Sequence, residues 1–345
     1  MPLLIEEHVP LAPLTTIGIG GPARFFFRAT TVDDVRAALA WAAERNVAVF
    51  ILGGGSNLLI SDAGFDGLVL HVDLRGMTIE SEDDYAMVKV AAGEPWDDFV
   101  AFAVAHRYAG VECLSGIPGS TGATPIQNVG AYGQDVSETI VRVEALDRTR
   151  DRVITLTNWD CRFGYRSSLF KNHERDRYVV VAVTFRLKIG GCATIRYPEL
   201  QKFVDERGIS VDDLQGIRES VIAIRKRKGM VIDPNDPDTR SDGSFFMNPV
   251  LSLAQYDAFA RIAPDAPHYP AGDEVKLSAA WLIEHAGFSK GFALGNVGLS
   301  SKHTLAVINR GGGTAREVVA LVEMIQGAVR AKFGVELHPE PNFIS

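Results

Sequence analysis

Five stretches of this chain place chemically capable side chains where the backbone has little freedom. Gly53-Gly-Gly-Ser-Asn57 follows the apolar run Val47 to Leu52, and glycines let successive N–H groups approach an anion with no side chain in the way. Leu58 stands where a dinucleotide fingerprint needs glycine, no long helix opens there, and GxxxxGK[ST] is absent, so the stretch reads equally as a tight turn or as an unusual diphosphate cradle. Ser115 to Gly133 is too apolar for a solvated linker and too rich in Gly and Pro for a helix or strand. Its backbone groups must be satisfied by packing into a long Ω-like loop or by a bound cofactor. Arg225-Lys-Arg-Lys228 closes a helix, as an anion site or as a solvated basic end that complements the dipole. In Gly243-Ser-Phe-Phe-Met-Asn-Pro249, two aromatics between Gly and Pro hold Ser244 and Asn248 rigidly. Glu340 sits between two prolines in Leu337-His-Pro-Glu-Pro-Asn-Phe343, either positioned by them or part of an exposed terminus.

Composition narrows the chemistry. A net charge of -8 argues against nucleic-acid binding through the overall field. Cys113, Cys161 and Cys192 are odd in number and far from metal-ligand or CxxC spacing, and the eight histidines show no HExxH, so no metal site is expected. The opening MPLLIEEHVPLAPL lacks the basic start and apolar run of a leader, and no stretch is long enough to span a membrane. A cytoplasmic location with no membrane partner is the expectation.

The elements that must position these residues follow from periodicity. Val35, Ala38, Leu39 and Ala42 have helical spacing, with Thr31 as N-cap and Asn46 as the stop. Val47 to Leu52 and Gly67 to Val72 read as strands, and a second helix runs from Pro95 to Gly110 through Trp96, Phe99, Val100 and Val104. Strands are expected over 140–146, 152–156 and 178–187, with a loop at 162–172. Helices follow over 210–226, 251–262, 277–286 and 314–333, the last opened by the capping box Thr314-Ala-Arg-Glu317, with Leu305 to Ile308 as a core strand.

Taken together, the motifs resemble the UDP-N-acetylenolpyruvoylglucosamine reductase family over nearly the whole chain. The resemblance rests on Thr15-Thr16-Ile-Gly-Ile-Gly-Gly21, the Gly53 to Asn57 loop, Gly116-Ile-Pro-Gly119, Pro125-Ile-Gln-Asn128, Gly130-Ala-Tyr-Gly133, Cys161 to Lys171, Gly243-Ser-Phe-Phe246 and Pro339-Glu340. It implies an α+β fold: a two-lobed FAD-binding domain of the vanillyl-alcohol-oxidase type over 1–190 (lobes at about 15–90 and 91–190), a tyrosine loop and linker over 191–210, and an α/β substrate-binding domain over 211–345 whose tail returns to the active site. It also implies a monomeric, NADPH-dependent flavoenzyme that reduces an enolpyruvyl UDP-sugar to UDP-N-acetylmuramate for peptidoglycan synthesis, and hence for cell shape and division.

By the same resemblance Arg166, Ser244 and Glu340 are catalytic, with Ser244 donating the proton. FAD is held by Gly53, Gly54, Gly55, Ser56, Asn57 and Leu58 together with Ile117, Pro118, Gly119, Ser120, Gly122, Ala123, Ile126 and Gln127. Tyr132, Tyr165, Tyr197, Arg225, Lys228, Asn248, Lys290 and His303 bind substrate, and Tyr197 marks the members with a tyrosine loop. The chain departs from the common pattern at Lys228-Gly-Met-Val-Ile-Asp-Pro234, which is longer, and at Asn342, where some members carry arginine. A flavin-dependent alcohol or sugar oxidase of the same fold is the alternative, and it leaves Gly-Ser-Phe-Phe and Pro-Glu without a purpose. A catalytically silent nucleotide-binding module would have lost Arg166, Ser244 or Glu340, and all three are present.

Overall fold

A computed structural model describes residues 3–345; Met1 and Pro2, at the head of the expected first domain, lie outside them. The chain forms two compact units and passes between them more than once. One comprises the segment ending at Val9, Ala23–Gly54 and Asp66–Lys226; the other comprises Pro10–Pro22, Gly55–Phe65 and Arg227–Ser345.

The first unit holds two larger sheets and a two-stranded ribbon that pairs Gly130–Ala131 with Gln134–Asp135. In the four-stranded one the order is Glu6–Pro10, Pro22–Ala29, Phe65–Val72, Val49–Leu52, with the last two strands parallel. The helix Val32–Glu44 precedes Val49–Leu52. Thr31 caps it as the sequence predicts, here in a reciprocal box with Asp34; of the expected apolar face Val35, Ala38 and Ala42 are buried and Leu39 half-buried, and the expected stop Asn46 lies in the left-handed region at φ 53°. The second sheet is antiparallel, in the order Arg152–Thr157, Ile140–Asp147, Tyr178–Ile189, Tyr85–Ala91, Met77–Glu82. Its central strand Tyr178–Ile189 is buried from Val179 through Phe185, whereas Tyr85–Ala91 alternates and buries only Ala86, Val88 and Val90.

Helix Trp96–Ala105 covers this sheet, with Phe99 and Trp96 at 4.7 and 5.7 Å from the Phe185 ring. It stops five residues before Gly110. Arg107 turns at φ 58°, and Tyr108–Ala109 pairs with the end of Tyr178–Ile189, so sheet pairing overrides helical continuation. The expected linker at 191–210 also contains a helix, Pro198–Asp205, with Pro198 at its first position and Leu200, Phe203 and Val204 buried. Helix Leu214–Arg227 inserts Leu214, Ile217, Val221 and Ile224 into the same core. The compact unit thus runs to Lys226, where the expectation placed 211–226 with the second domain; the apolar face of this helix binds it to the first.

The second unit is built on an antiparallel sheet in the order Ser241–Ser244, Ala306–Asn309, Val297–Leu299, Ala293–Leu294. Helix Ala315–Phe333 has the expected capping box and ends at left-handed Gly334. Its stripe Val318, Leu321, Val322, Ile325 and Val329 shares a core with Phe245, Phe246, Leu282 and Ile283. The chain ends with Asn342–Ile344 paired in parallel with Leu58–Ile60.

Candidate active site

In the first unit the two glycine-rich stretches meet backbone to backbone. A Cβ on Gly54 would lie 2.5 Å from Gly119 Cα, and one on Gly53 would lie 2.7 Å from Ser120 Oγ. The 119–122 segment is fixed from behind: Trp96 N–H donates to Gly119 O (3.0 Å), Thr121 N–H to Glu94 O (2.8 Å) and Gly122 N–H to Ala92 O (2.8 Å). Gly122 is required by that last contact, since a Cβ there would strike Ala92 Cβ at 2.5 Å. Thr121 Oγ1 is buried with no hydrogen-bond partner among the described residues. A wall of backbone free of side chains, with a buried orphan hydroxyl behind it, fits a diphosphate-bearing cofactor. Gly53, Gly54 and the segment Ile117 to Gln127 are the residues of this unit that would hold it.

Arg166 sits at the tip of a tight turn in which Gly164 and Ser167 exchange backbone hydrogen bonds of 3.0 and 3.2 Å. Its φ is 50°, a left-handed conformation that arginine rarely adopts. The guanidinium donates Nη2–H to Gly130 O at 2.9 Å and Nη1–H to Asn128 O at 3.5 Å, and it lies 5.5 Å from the Tyr165 ring centroid. Asn128 returns the link by donating to Gly164 O at 3.1 Å, and Ser168 Oγ donates to Ile126 O. The long loop and the Cys161 to Lys171 segment are thus one hydrogen-bonded assembly that aims a cation.

Tyr132, also left-handed at φ 50°, meets Tyr197 edge to face at 5.6 Å. The Tyr197 segment is anchored by Arg196, which donates to Gly133 O (2.8 Å) and Glu138 (2.5 Å). Burial pushes the Tyr132 phenol up to about 12 despite Arg225, and burial lowers Arg225 against the pull of Tyr132 and Asp97. Asp97 was not foreseen from sequence. It accepts a bidentate pair from Arg218 (2.6 and 2.8 Å) and the Gly116 N–H (2.6 Å). Burial works to raise its pKa, but Arg218, the Gly116 N–H and Arg225 hold it below the usual carboxylate range. It therefore joins the start of the cofactor segment to helix Leu214–Arg227, whose last turn carries Arg225. Its one clue in the sequence is an acid beside Trp96 at a helix start.

The second unit contains the other candidates. Gly55, at φ 65°, accepts Thr16 N–H at 3.0 Å, and any Cβ there would overlap Leu14 O. Asn57 Nδ2–H donates to Glu340 O at 3.3 Å, and Asn57 O accepts Asn342 N–H at 3.0 Å. Glu340 N–H donates to Phe245 O at 2.8 Å and Met247 N–H to His338 O at 3.0 Å, with Phe246 and Pro339 forming an antiparallel bridge. The Ser244 and Glu340 motifs, nearly a hundred residues apart in sequence, are thereby side by side, both half-buried. Two residues before Ser244 lies Asp242, also missed from sequence. Burial pushes it up to about 8 against the Thr16 hydroxyl and the Leu58 N–H.

The remaining candidates are less tightly gathered. Asn248 Oδ1 accepts Ala279 N–H at 3.0 Å and so also caps helix Ala279–His285. His303 belongs to the turn before Ala306–Asn309, its carbonyl accepting Ala306 N–H at 3.1 Å. Lys228 is half-buried just beyond the end of helix Leu214–Arg227, and Lys290 is exposed. Among the described residues no group of three or more His, Cys, Asp or Glu side chains could hold a metal ion, and no helix is long and apolar enough to cross a membrane.

Comparison with known proteins covers the same ground. Residues 23–157 match the model of an FAD binding domain, and residues 234–344 match that of the UDP-N-acetylenolpyruvoylglucosamine reductase C-terminal domain. The chain is 47% identical to the UDP-N-acetylenolpyruvoylglucosamine reductase of Thermobifida fusca over 98% of its own length and 97% of the relative's. It is 48% identical to that of Streptomyces coelicolor, over 97% and 89%. The crystal structure of the Thermus caldophilus reductase superposes with a TM-score of 0.69 at 23% identity, covering 99% of this chain and 100% of that one.

Proposed function

We propose that this chain, which belongs to the UDP-N-acetylenolpyruvoylglucosamine reductase family, divides its reaction among Arg166, Ser244 and Glu340. It is an FAD-containing oxidoreductase that uses NADPH to reduce the enolpyruvyl ether of UDP-N-acetylglucosamine enolpyruvate to UDP-N-acetylmuramate. The flavin, when bound and reduced, supplies a hydride to the methylene carbon of the enol ether. Charge then develops on the adjacent carbon, spread into the carboxylate that it bears, and must be stabilised until that adjacent carbon is protonated.

Arg166 is assigned the stabilising role. Its turn, its backbone strain and its two carbonyl anchors pre-position a permanent cation, which is worth most where no reorganisation is needed during reaction. Ser244 is assigned the proton donation and Glu340 the support of the substrate carboxylate region; the observation that carries this pairing is the 2.8 Å bond from Glu340 N–H to Phe245 O. A hydroxyl is a weak acid, so Ser244 can act only beside a strongly basic carbon. Tyr132, Tyr165, Tyr197, Arg225, Lys228, Asn248, Lys290 and His303 complete the proposal as contacts to the UDP-sugar. We place the enzyme in the cytoplasm as a monomer serving cell-wall synthesis, a setting that fits three free cysteines.

The test is anaerobic. NADPH should bleach the flavin band, and the enolpyruvyl nucleotide should restore it with formation of the saturated product. Arg166→Ala and Ser244→Ala should retain FAD and lose that second step; wild-type reoxidation by the nucleotide in either variant refutes its assignment. A yellow protein unmoved by NADPH but quickly reoxidised by oxygen would favour an oxidase.

A further inference from the structure

The strand that carries Ser244 also carries an acid that the roles above do not use. Asp242 is buried; its Oδ1 accepts from Thr16 Oγ1 at 3.2 Å, the Leu58 N–H donates to the same carboxyl, and Oδ2 is buried with no hydrogen-bond partner among the described residues. Three segments of the second unit converge on it. One is the turn whose Thr16 N–H holds Gly55 O; another is the strand Leu58–Ile60 at the exit of the glycine loop; the third is Ser241–Ser244, laid on Ala306–Asn309 with Ser244 opposite Ala306.

None of these neighbours supplies a counter-ion. Residues 10–19, 58–60 and 306–309 contain no ionisable side chain. Along the chain the nearest charged groups are Asp238, an acid that accepts from Ser301 at 2.6 Å, and Arg240, which is exposed. Glu340, joined through its backbone to Phe245, is a further acid. A carboxyl without a cation in an apolar setting is held neutral.

We propose that Asp242 is a positioning residue that must stay protonated: as a neutral acid it packs the Thr16 turn and the glycine loop against the strand bearing Ser244, whereas its ionisation, although it strengthens the bonds from Thr16 and Leu58, leaves a buried charge with no cation, draws water to Oδ2 and loosens that packing. The proposal rests on Ser244 belonging to the reaction. Asp242 does not touch the reacting atoms; it acts through the strand.

The experiment is a pH series on the FAD-loaded enzyme and on Asp242→Asn, which cannot ionise. A group titrating at about 8 takes wild-type kcat/KM down about tenfold between pH 7 and pH 9. Asp242→Asn should lose that alkaline limb relative to its own value at pH 7. The second readout needs no turnover. An acid whose folded pKa is raised stabilises the protein below its unfolded value, near 4, and loses that contribution as pH rises to about 8. The thermal midpoint of wild type minus that of Asp242→Asn should therefore fall between about pH 4 and pH 8 and level off above. Should the Asn variant fail to fold, Thr16→Val serves, because removing a donor that favours the ionised form should move the wild-type limb to higher pH. An alkaline limb retained in Asp242→Asn, a pH-independent difference in midpoint, or an unmoved limb in Thr16→Val overturns the proposal. A wild type that does not reduce the nucleotide at pH 7 refutes the functional reading instead, and the thermal series still judges Asp242.

Discussion

A methyl group added at residue 54 would stand 2.5 Å from Gly119 Cα and 2.7 Å from both the Gly119 carbonyl carbon and the Ser120 nitrogen. These are backbone atoms, held in place by the Gly119, Thr121 and Gly122 hydrogen bonds at 2.8 to 3.0 Å, so no side-chain rotation can relieve the overlap. The two loops must part by about 1 Å to restore ordinary van der Waals contact. Overpacking of this kind costs about 1–3 kcal/mol. Gly54 is exposed, so the unliganded loop can yield by moving outward; the penalty then falls on the cofactor-bound arrangement and weakens FAD by about 5- to 150-fold. Fluorescence titration of Gly54→Ala apoprotein with FAD measures this, and thermal unfolding without FAD should stay close to wild type. Unchanged affinity in a folded variant would show that the close approach of the two loops does not shape the cofactor cradle.

Gly327→Ala is the opposite case: residue 327 lies inside helix Ala315–Phe333 with nothing within 4 Å of an added Cβ, so urea unfolding should show a gain of about 0.5–1 kcal/mol. Cys113 and Cys161 are buried, and burial raises both thiols, that of Cys161 to about 12, whereas Cys192 is exposed. A thiol reagent near pH 8 should therefore modify one cysteine in the native protein and three after denaturation. Asp97→Asn, which weakens the bonds to Arg218 and Gly116, should cost about 1–3 kcal/mol near neutral pH. Because the folded pKa of Asp97 is depressed, its contribution is full above the unfolded value near 4 and vanishes as pH falls through the folded value. The gap between variant and wild type in urea unfolding should close in acid.

Local signals carried much of the fold. The Thr31 and Thr314 caps, the left-handed stop at Asn46 and the strands beginning at Ile140, Arg152 and Tyr178 all lie where composition and periodicity place them. Long-range pairing was not legible. Tyr108–Ala109 ends a helix early only because an edge of Tyr178–Ile189 is available, and Glu6–Pro10 and Met77–Glu82 are strands whose side chains are mostly exposed, so they carry no apolar alternation to reveal them. The site shows the same division. Motifs with unusual Gly, Pro and aromatic content announced Ser244, Glu340 and the glycine loop, whereas Asp97 and Asp242 are single acids whose meaning comes from Arg218, Gly116, Thr16 and Leu58, brought to them from elsewhere in the chain.

Backbone strain gives the Arg166 assembly its logic. Asn128, Tyr132 and Arg166 all adopt left-handed φ between 48° and 50°; asparagine tolerates this, but each residue with a larger side chain pays about 1–2 kcal/mol. Glycine at 132 or 166 would relieve that strain and remove the phenol or the guanidinium. The strain persists because the surroundings over-determine it: Arg166 is clamped to Asn128 O and Gly130 O, Asn128 to Gly164 O, and Arg196 to Gly133 O. The first three clamps join the long loop to the Gly164–Ser167 turn and the last joins it to the Tyr197 segment, so the loop cannot relax at one residue without releasing the others. Rigidity here comes from the number of cross-links rather than from a regular element, which is how an irregular loop can hold a cation as firmly as a strand would.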